Sequence, residues 1–204
     1  MAALQRSHAV PFRFAVTSDL PEGETVSASG AFDVARMLYD ATTTIAGGKS
    51  PGTHRRIVVK TDTYLREGKD KTWVHLDLAR IKKSNTLLYF DMADPTGLVE
   101  FTSAVKTAER VDAHTFSGEF DPTATLPGFL PIGAPSLVSI GMRRSPYTVT
   151  VDDQGWVTAI HIELSPSHGP AIAMTTTFKE HGKSLPIKAP AKSSVREAAD
   201  FYYD

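Results

Sequence analysis

The chain has 204 residues, of which 41% are hydrophobic and 22% charged, and its net charge is −1. That length builds one domain with a real core, and the near-zero charge excludes the strongly basic surface that nucleic-acid binding asks for. Without a single cysteine, disulfides, thiolate metal sites and cysteine nucleophiles are excluded as well.

The start, Met1-Ala2-Ala3-Leu4-Gln5-Arg6, lacks the charged and apolar regions of a signal peptide. It fits a cytoplasmic protein, or the mature segment of an exported one carrying an initiator Met. Residues 1–7 are expected as a tether or linker. Period-two alternation then dominates the first 80 residues, the pattern of half-buried strands. Val10, Phe12, Phe14 and Val16 share one face of the first strand. After a turn at 20–24, a second strand over about 25–36 carries Val26, Ala28, Gly30 and Phe32 on one side. A Thr-rich third strand is expected over 37–45, then a loop at Gly47-Gly48-Lys49-Ser50-Pro51-Gly52. Short strands at 55–60, 63–66 and 72–78 complete an antiparallel meander without βαβ units.

The middle changes character. Leu98, Phe101 and Val105 have helical spacing over 98–105, with Asp94 as N-cap and Pro95 in the first turn. A strand pair spans about 109–120. Asp121-Pro122-Thr123 opens a second short helix that runs to the Pro- and Gly-punctuated stretch 127–135, and 137–142 adds a further helical turn. Strands return at 147–151, 156–164 and 171–179. Asp152-Asp153-Gln154-Gly155 is the strongest hairpin signal in the chain. Pro186 and Pro190 mark an extended exit, and the tail, 191–204, is expected as a short helix or disordered. No transmembrane run of roughly 20 apolar residues occurs anywhere.

This order of elements predicts an α+β, mainly antiparallel fold: a single curved sheet capped by inserted helices, with residues 8–190 as one domain. It resembles the LolA fold, an unclosed half-barrel. Local pieces sharpen the resemblance toward the LppX- and LprG-related lipoproteins of actinobacteria. They are Ser27-Ala28-Ser29-Gly30-Ala31-Phe32-Asp33, Thr63-Tyr64-Leu65-Arg66 with Thr72-Trp73-Val74, and Asp94-Pro95-Thr96-Gly97-Leu98. Further on come Thr115-Phe116-Ser117-Gly118-Glu119-Phe120-Asp121-Pro122, Val149-Thr150-Val151-Asp152-Asp153-Gln154-Gly155, Thr177-Phe178 and Leu185-Pro186-Ile187-Lys188-Ala189-Pro190. The resemblance implies a lipid carrier or lipoprotein chaperone, exported and anchored through an acylated N-terminal cysteine that this chain does not contain. It implies a monomer whose ligand is a lipid or other apolar molecule, with a membrane surface or another envelope protein as partner.

On that reading the walls of an apolar cavity are Phe12, Phe14, Val26, Phe32, Ile57, Val59, Leu76, Ile160, Ile162, Met174 and Phe178 from strands. Leu98, Phe101, Leu130 and Leu137 come from the helical lid. The competing reading is that these side chains pack on one another as a dry core. Phe129, Leu130 and Ile132, in a stretch that cannot be helical throughout, form either a mobile flap at the cavity mouth or an ordinary loop. An interaction or sensor module with a filled core, working through surface loops, is the alternative on the same scaffold.

Chemistry finds little footing. The seven histidines include no close pair and no i, i+4 zinc spacing, so no metal is expected. Gly-x-Ser-x-Gly is absent, and Gly47-Gly48-Lys49-Ser50 lacks the earlier glycine of a phosphate loop, since position 43 is Thr. No cofactor motif is present, and the chain reads as non-enzymatic. An enzyme would need converging titratable groups such as His114 with Asp112 and Glu119. Arg55-Arg56, Lys82-Lys83 and Arg143-Arg144 either meet anionic headgroups near a cavity entrance or are solvated surface charge.

Overall fold

The structure, a computed structural model, describes residues 1–20, 23–48, 51–85, 88–122, 144–164 and 171–203. Six strands follow one another as a meander: β1 (Phe12–Asp19), β2 (Thr25–Asp33), β3 (Leu38–Ala46), β4 (Gly52–Val59), β5 (Asp62–Glu67) and β6 (Trp73–Asp77). Helix α2 (Leu98–Ala104) precedes β7 (Glu109–Arg110), β8 (Thr115–Phe120), β9 (Ser145–Val151), β10 (Val157–Leu164) and β11 (Ile172–Lys179). The chain ends with β12 (Val195–Glu197), and α1 (Ala2–His8) lies at its start.

All twelve strands form one sheet in the order β12-β6-β5-β4-β3-β2-β1-β11-β10-β9-β8-β7. β11 closes back onto β1, so the two halves of the chain meet at the centre while β12 and β7 remain separate edges. The result is a single, unclosed, curved and mostly antiparallel sheet with its helices against one face: the half-barrel layout expected of a LolA-like fold. Among the described residues no helix is long and apolar enough to cross a membrane.

Alternation explains the centre. Phe12, Phe14, Val16 and Ser18 of β1 are buried, and the residues between them are half-buried or exposed. Across the register, Phe12 faces Phe32 and Phe14 faces Gly30. A Cβ at Gly30 would collide with the Phe14 ring and the Asp40 carbonyl, so glycine there lets the ring lie flat across the neighbouring strand. Phe12 meets Phe32 and Phe178 edge-on, with ring centroids 5.8 and 5.4 Å apart. Phe101 of α2 does the same with Tyr147 at 5.3 Å and lies 5.4 Å from Phe120. At the β9–β10 hairpin, Asp152 Oδ1 accepts from the backbone N–H groups of Gln154 and Trp156, and Gly155 has φ +78°.

Three elements differ from expectation. Residues 1–7, expected as a tether, lie almost wholly in α1, where Leu4 is buried and the Ser7 hydroxyl accepts from Val157 N–H at 3.0 Å. Asp94 is not the residue adjoining the helix. Gly97, in the left-handed region, is the N-cap of α2, because 94–97 closes its own turn through Gly97 N–H to Asp94 C=O. The Asp94 carboxylate still reaches the helix start and accepts from Glu100 N–H at 2.9 Å. The tail is neither one helix nor free: β12 pairs in parallel with β6, and Tyr203 packs against Leu76 and Ile81. That parallel pairing has no local turn to announce it, since the exit segment 180–194 first crosses the sheet's outer face. The expected second helix from 121 and the helical turn at 137–142 lie outside the described residues, apart from Asp121 and Pro122.

Candidate functional site

The predicted wall residues separate into three groups. Phe12, Phe14, Phe32, Leu98, Phe101, Ile160, Ile162, Met174 and Phe178 belong to one cluster of buried side chains packed on each other. Val26 is buried on the same face, opposite Ser18, whereas Leu76 sits in a second, smaller cluster beneath Tyr203. Ile57 and Val59 face the other way. In β4 the inward residue is Val58, which opposes the core residue Tyr39, so Ile57 and Val59 lie on the outer face with Asp40 and Arg55. Ile57 is buried there even so, because the segment after β11 runs across that face, tied by Arg36 Nη2 donating to Leu185 C=O at 3.1 Å. Phe129, Leu130, Ile132 and Leu137 lie outside the described residues.

Beyond the aromatic centre, toward β5, the concave face opens. A pocket of about 360 Å³ is bounded by Tyr39 and Ala41 of β3, Arg56 of β4, Leu65 of β5, and Leu88 and Phe90 from the segment after β6. Its floor continues the core: the Tyr39 ring stacks on Phe14 with centroids 6.1 Å apart, and Phe90 approaches Tyr39 to 4.8 Å. Burial pushes the Tyr39 hydroxyl up to about 12, with Arg56 opposing that rise and Asp40 adding to it. The phenol is therefore a neutral hydrogen-bonding group in this apolar setting.

Arg56 is the unusual member. Its cross-strand neighbours are Ala41 and Leu65, both apolar. Its guanidinium carbon stands 4.6 Å over the Phe90 ring, a cation–π contact. No hydrogen bond or ion pair from Arg56 exists among the described residues, and burial holds its guanidinium below the usual arginine range. Glu67, the one acid on the pocket's rim, is exposed. The adjacent Arg55 points to the opposite face and is fully engaged: its Nε and Nη2 donate to the two carboxylate oxygens of Asp40 at 3.0 and 2.8 Å. That fork raises the Arg55 pKa, chiefly through the Asp40 hydrogen bond.

A second, smaller pocket of about 270 Å³ opens between α1 and the far half of the sheet, where Leu4, Phe116, Tyr147, Val149 and Val151 give it apolar walls. The polar trio that an enzyme would need does not converge. Asp112 Oδ1 is occupied by the backbone N–H groups of His114 and Thr115, Glu119 pairs with Arg144, and His114 lies 3.5 Å from Asp153. Among the described residues no group of three or more potential metal ligands comes together.

Tyr39, Arg56, Leu65 and Phe90 were not among the expected wall residues. The Arg55-Arg56 pair was the available signal, but sequence alone does not say which of two adjacent arginines faces inward.

No family model matches this chain, and no curated protein does. Among solved structures, one similar chain is a LolA superfamily protein, NE2245, from Nitrosomonas europaea. It is 8% identical, the match covers 91% of this chain and 94% of that one, and the TM-score is 0.29. At that level of superposition the description of the fold rests on this chain's own strand order.

Proposed function

We propose that this chain is a non-enzymatic carrier that holds one lipid or other long apolar molecule against the concave face of its sheet. The observation that carries this reading is the aromatic-floored pocket between β3, β5 and Phe90, beside a cluster of packed aromatic side chains. Its volume falls at the lower end of the roughly 300–1,000 Å³ of small-molecule sites. Uptake is driven by apolar burial, about 25 cal/mol for each Å² removed from water. Export and membrane anchoring as a lipoprotein follow from the resemblance of the strand and turn pieces alone, and cell fractionation of the native protein tests them.

A filled-core interaction module is favoured by one feature, the edge-on packing of Phe12 against Phe32 and Phe178 at the centre of the sheet. Lipid uptake separates the two readings. The delipidated chain, incubated with phospholipid vesicles and re-isolated, is expected to carry close to one acyl lipid per molecule by native mass spectrometry. Leu65→Trp, which fills the pocket without adding charge, is expected to abolish that uptake. A wild-type chain that returns empty would leave the interaction module standing.

A further inference from the structure

We propose that the pocket's ligand is an anionic amphiphile, a single acyl chain ending in a carboxylate or phosphate, and that Arg56 is the residue that binds its head. The inference deepens the carrier reading and rests on it. Three observations converge on the class of ligand.

The first is the missing partner. A guanidinium set among apolar side chains is unfavourable unless its donors are satisfied. Arg56 has one aromatic face, Phe90, and no acceptor among the described residues. The second is the neighbouring control within the same strand. Arg55, one residue away, gives two of its guanidinium nitrogens to the Asp40 carboxylate, whereas Arg56, on the opposite face of the strand, lines the pocket with no acceptor among the described residues. The third is the pocket's polarity. Tyr39, Ala41, Leu65, Leu88 and Phe90 give the pocket a wall for hydrocarbon, while the rest of its lining beside Arg56, namely Thr43, His54, Arg55, Arg66 and Glu67, is polar and mostly basic. The planar fork of a guanidinium matches a carboxylate or phosphate bidentately. A molecule with such a head and an apolar tail satisfies both halves of the site at once.

The test compares four probes on the delipidated protein by isothermal titration calorimetry: oleate, oleoyl lysophosphatidate, oleyl alcohol and inorganic phosphate. Both anionic amphiphiles are expected to bind about ten- to a hundredfold more tightly than oleyl alcohol, the range of one charge-assisted contact. Whichever binds tighter identifies the head as carboxylate or phosphate. R56M is expected to erase the preference, so that oleate, lysophosphatidate and oleyl alcohol bind that variant with similar affinity, and its urea unfolding midpoint reports an intact fold. Wild-type protein that binds oleyl alcohol as tightly as oleate, or an R56M chain that keeps the preference, overturns the role of Arg56 and leaves the carrier reading in place. Phosphate binding as tightly as lysophosphatidate overturns the amphiphile. Failure of all three acyl probes sinks the carrier reading itself.

Discussion

The two halves of the concave face use the same device, aromatic rings projecting from alternate positions, to opposite ends. Around β1, β2 and β11 the ring of Phe12 meets Phe32 and Phe178 edge-on, and under α2 Phe101 meets Tyr147 edge-on and Phe120 at a tilt, so that large rings pack directly on one another. Around β3 to β5 the rings of Tyr39 and Phe90 meet each other but leave a pocket at their side, and the strand positions that would close it carry Ala41 and Arg56. The difference teaches that a continuous stripe of apolar alternation does not mark a continuous cavity. Where large side chains face each other across the register, they make core. Where a small residue and an unpaired cation intervene, the same surface becomes available to a ligand.

The largest expected effect tests the filled half. Phe101 has no exposure and anchors α2 against Phe120 and Tyr147. Phe101→Ala is expected to cost about 3–5 kcal/mol in urea unfolding, the sum of lost transfer energy and an unfilled cavity. A cost below about 1 kcal/mol would show that α2 is loosely held, and the contrast between the two halves would fail.

Much of that filled half was legible in the sequence, because Phe12, Phe14, Phe32, Ile160, Ile162, Met174 and Phe178 alternate with polar residues or alanine and the period of two fixes their face. The open half was not, for a reason that lies in β4. Arg55-Arg56-Ile57-Val58-Val59 is two charges followed by three apolar residues, and no phase can be read from it. The natural choice puts Ile57 and Val59 inward and leaves both arginines in water. The fold instead turns Arg56 and Val58 inward and keeps Arg55, Ile57 and Val59 on the outer face, where the segment after β11 shelters Ile57. A cover that arrives more than 120 residues later in the chain leaves no local trace. The same distance hid β12, whose parallel partner β6 lies far back in the sequence.

The outer face carries the next effect in size. Asp40→Asn removes the carboxylate that holds Arg55 at both nitrogens, in a pair that is about one-third exposed. With solvent screening that costs about 1 kcal/mol, read from the urea midpoint, and Arg55→Met is expected to match it. A smaller and pH-dependent effect lies at the far edge, where His75 links β6 to β12. Burial disfavours the imidazolium, but Glu197 at 2.8 Å and Asp62 at 3.0 Å outweigh it, and the pKa is raised from 6.5. A raised folded-state value means the stabilisation is complete below about 6.5 and fades as pH climbs through the folded-state pKa. Because both carboxylates are half exposed or more, it amounts to less than about 1 kcal/mol. The protection factor of the Ala198 amide, which donates to His75 C=O, is expected to fall as the pH rises through the raised folded-state pKa of His75. His75→Gln is expected to flatten that dependence.

The smallest effect is the most informative about the two faces. Arg56→Met is expected to leave the free energy of unfolding within about 1 kcal/mol of wild type, and to raise it rather than lower it. The substitution removes a charge that finds no acceptor among the described residues and supplies a chain of similar length to Leu65 and Ala41 on either side. Arg55→Met, one position away on the opposite face, strands Asp40 and loses stability instead. If both variants lose the same amount, Arg56 is held by the fold as firmly as Arg55 is, and its presence in the pocket needs no ligand to explain it. If they part in the expected directions, the arginine on the concave face does nothing for the folded state, and its free donors are left for what the pocket binds.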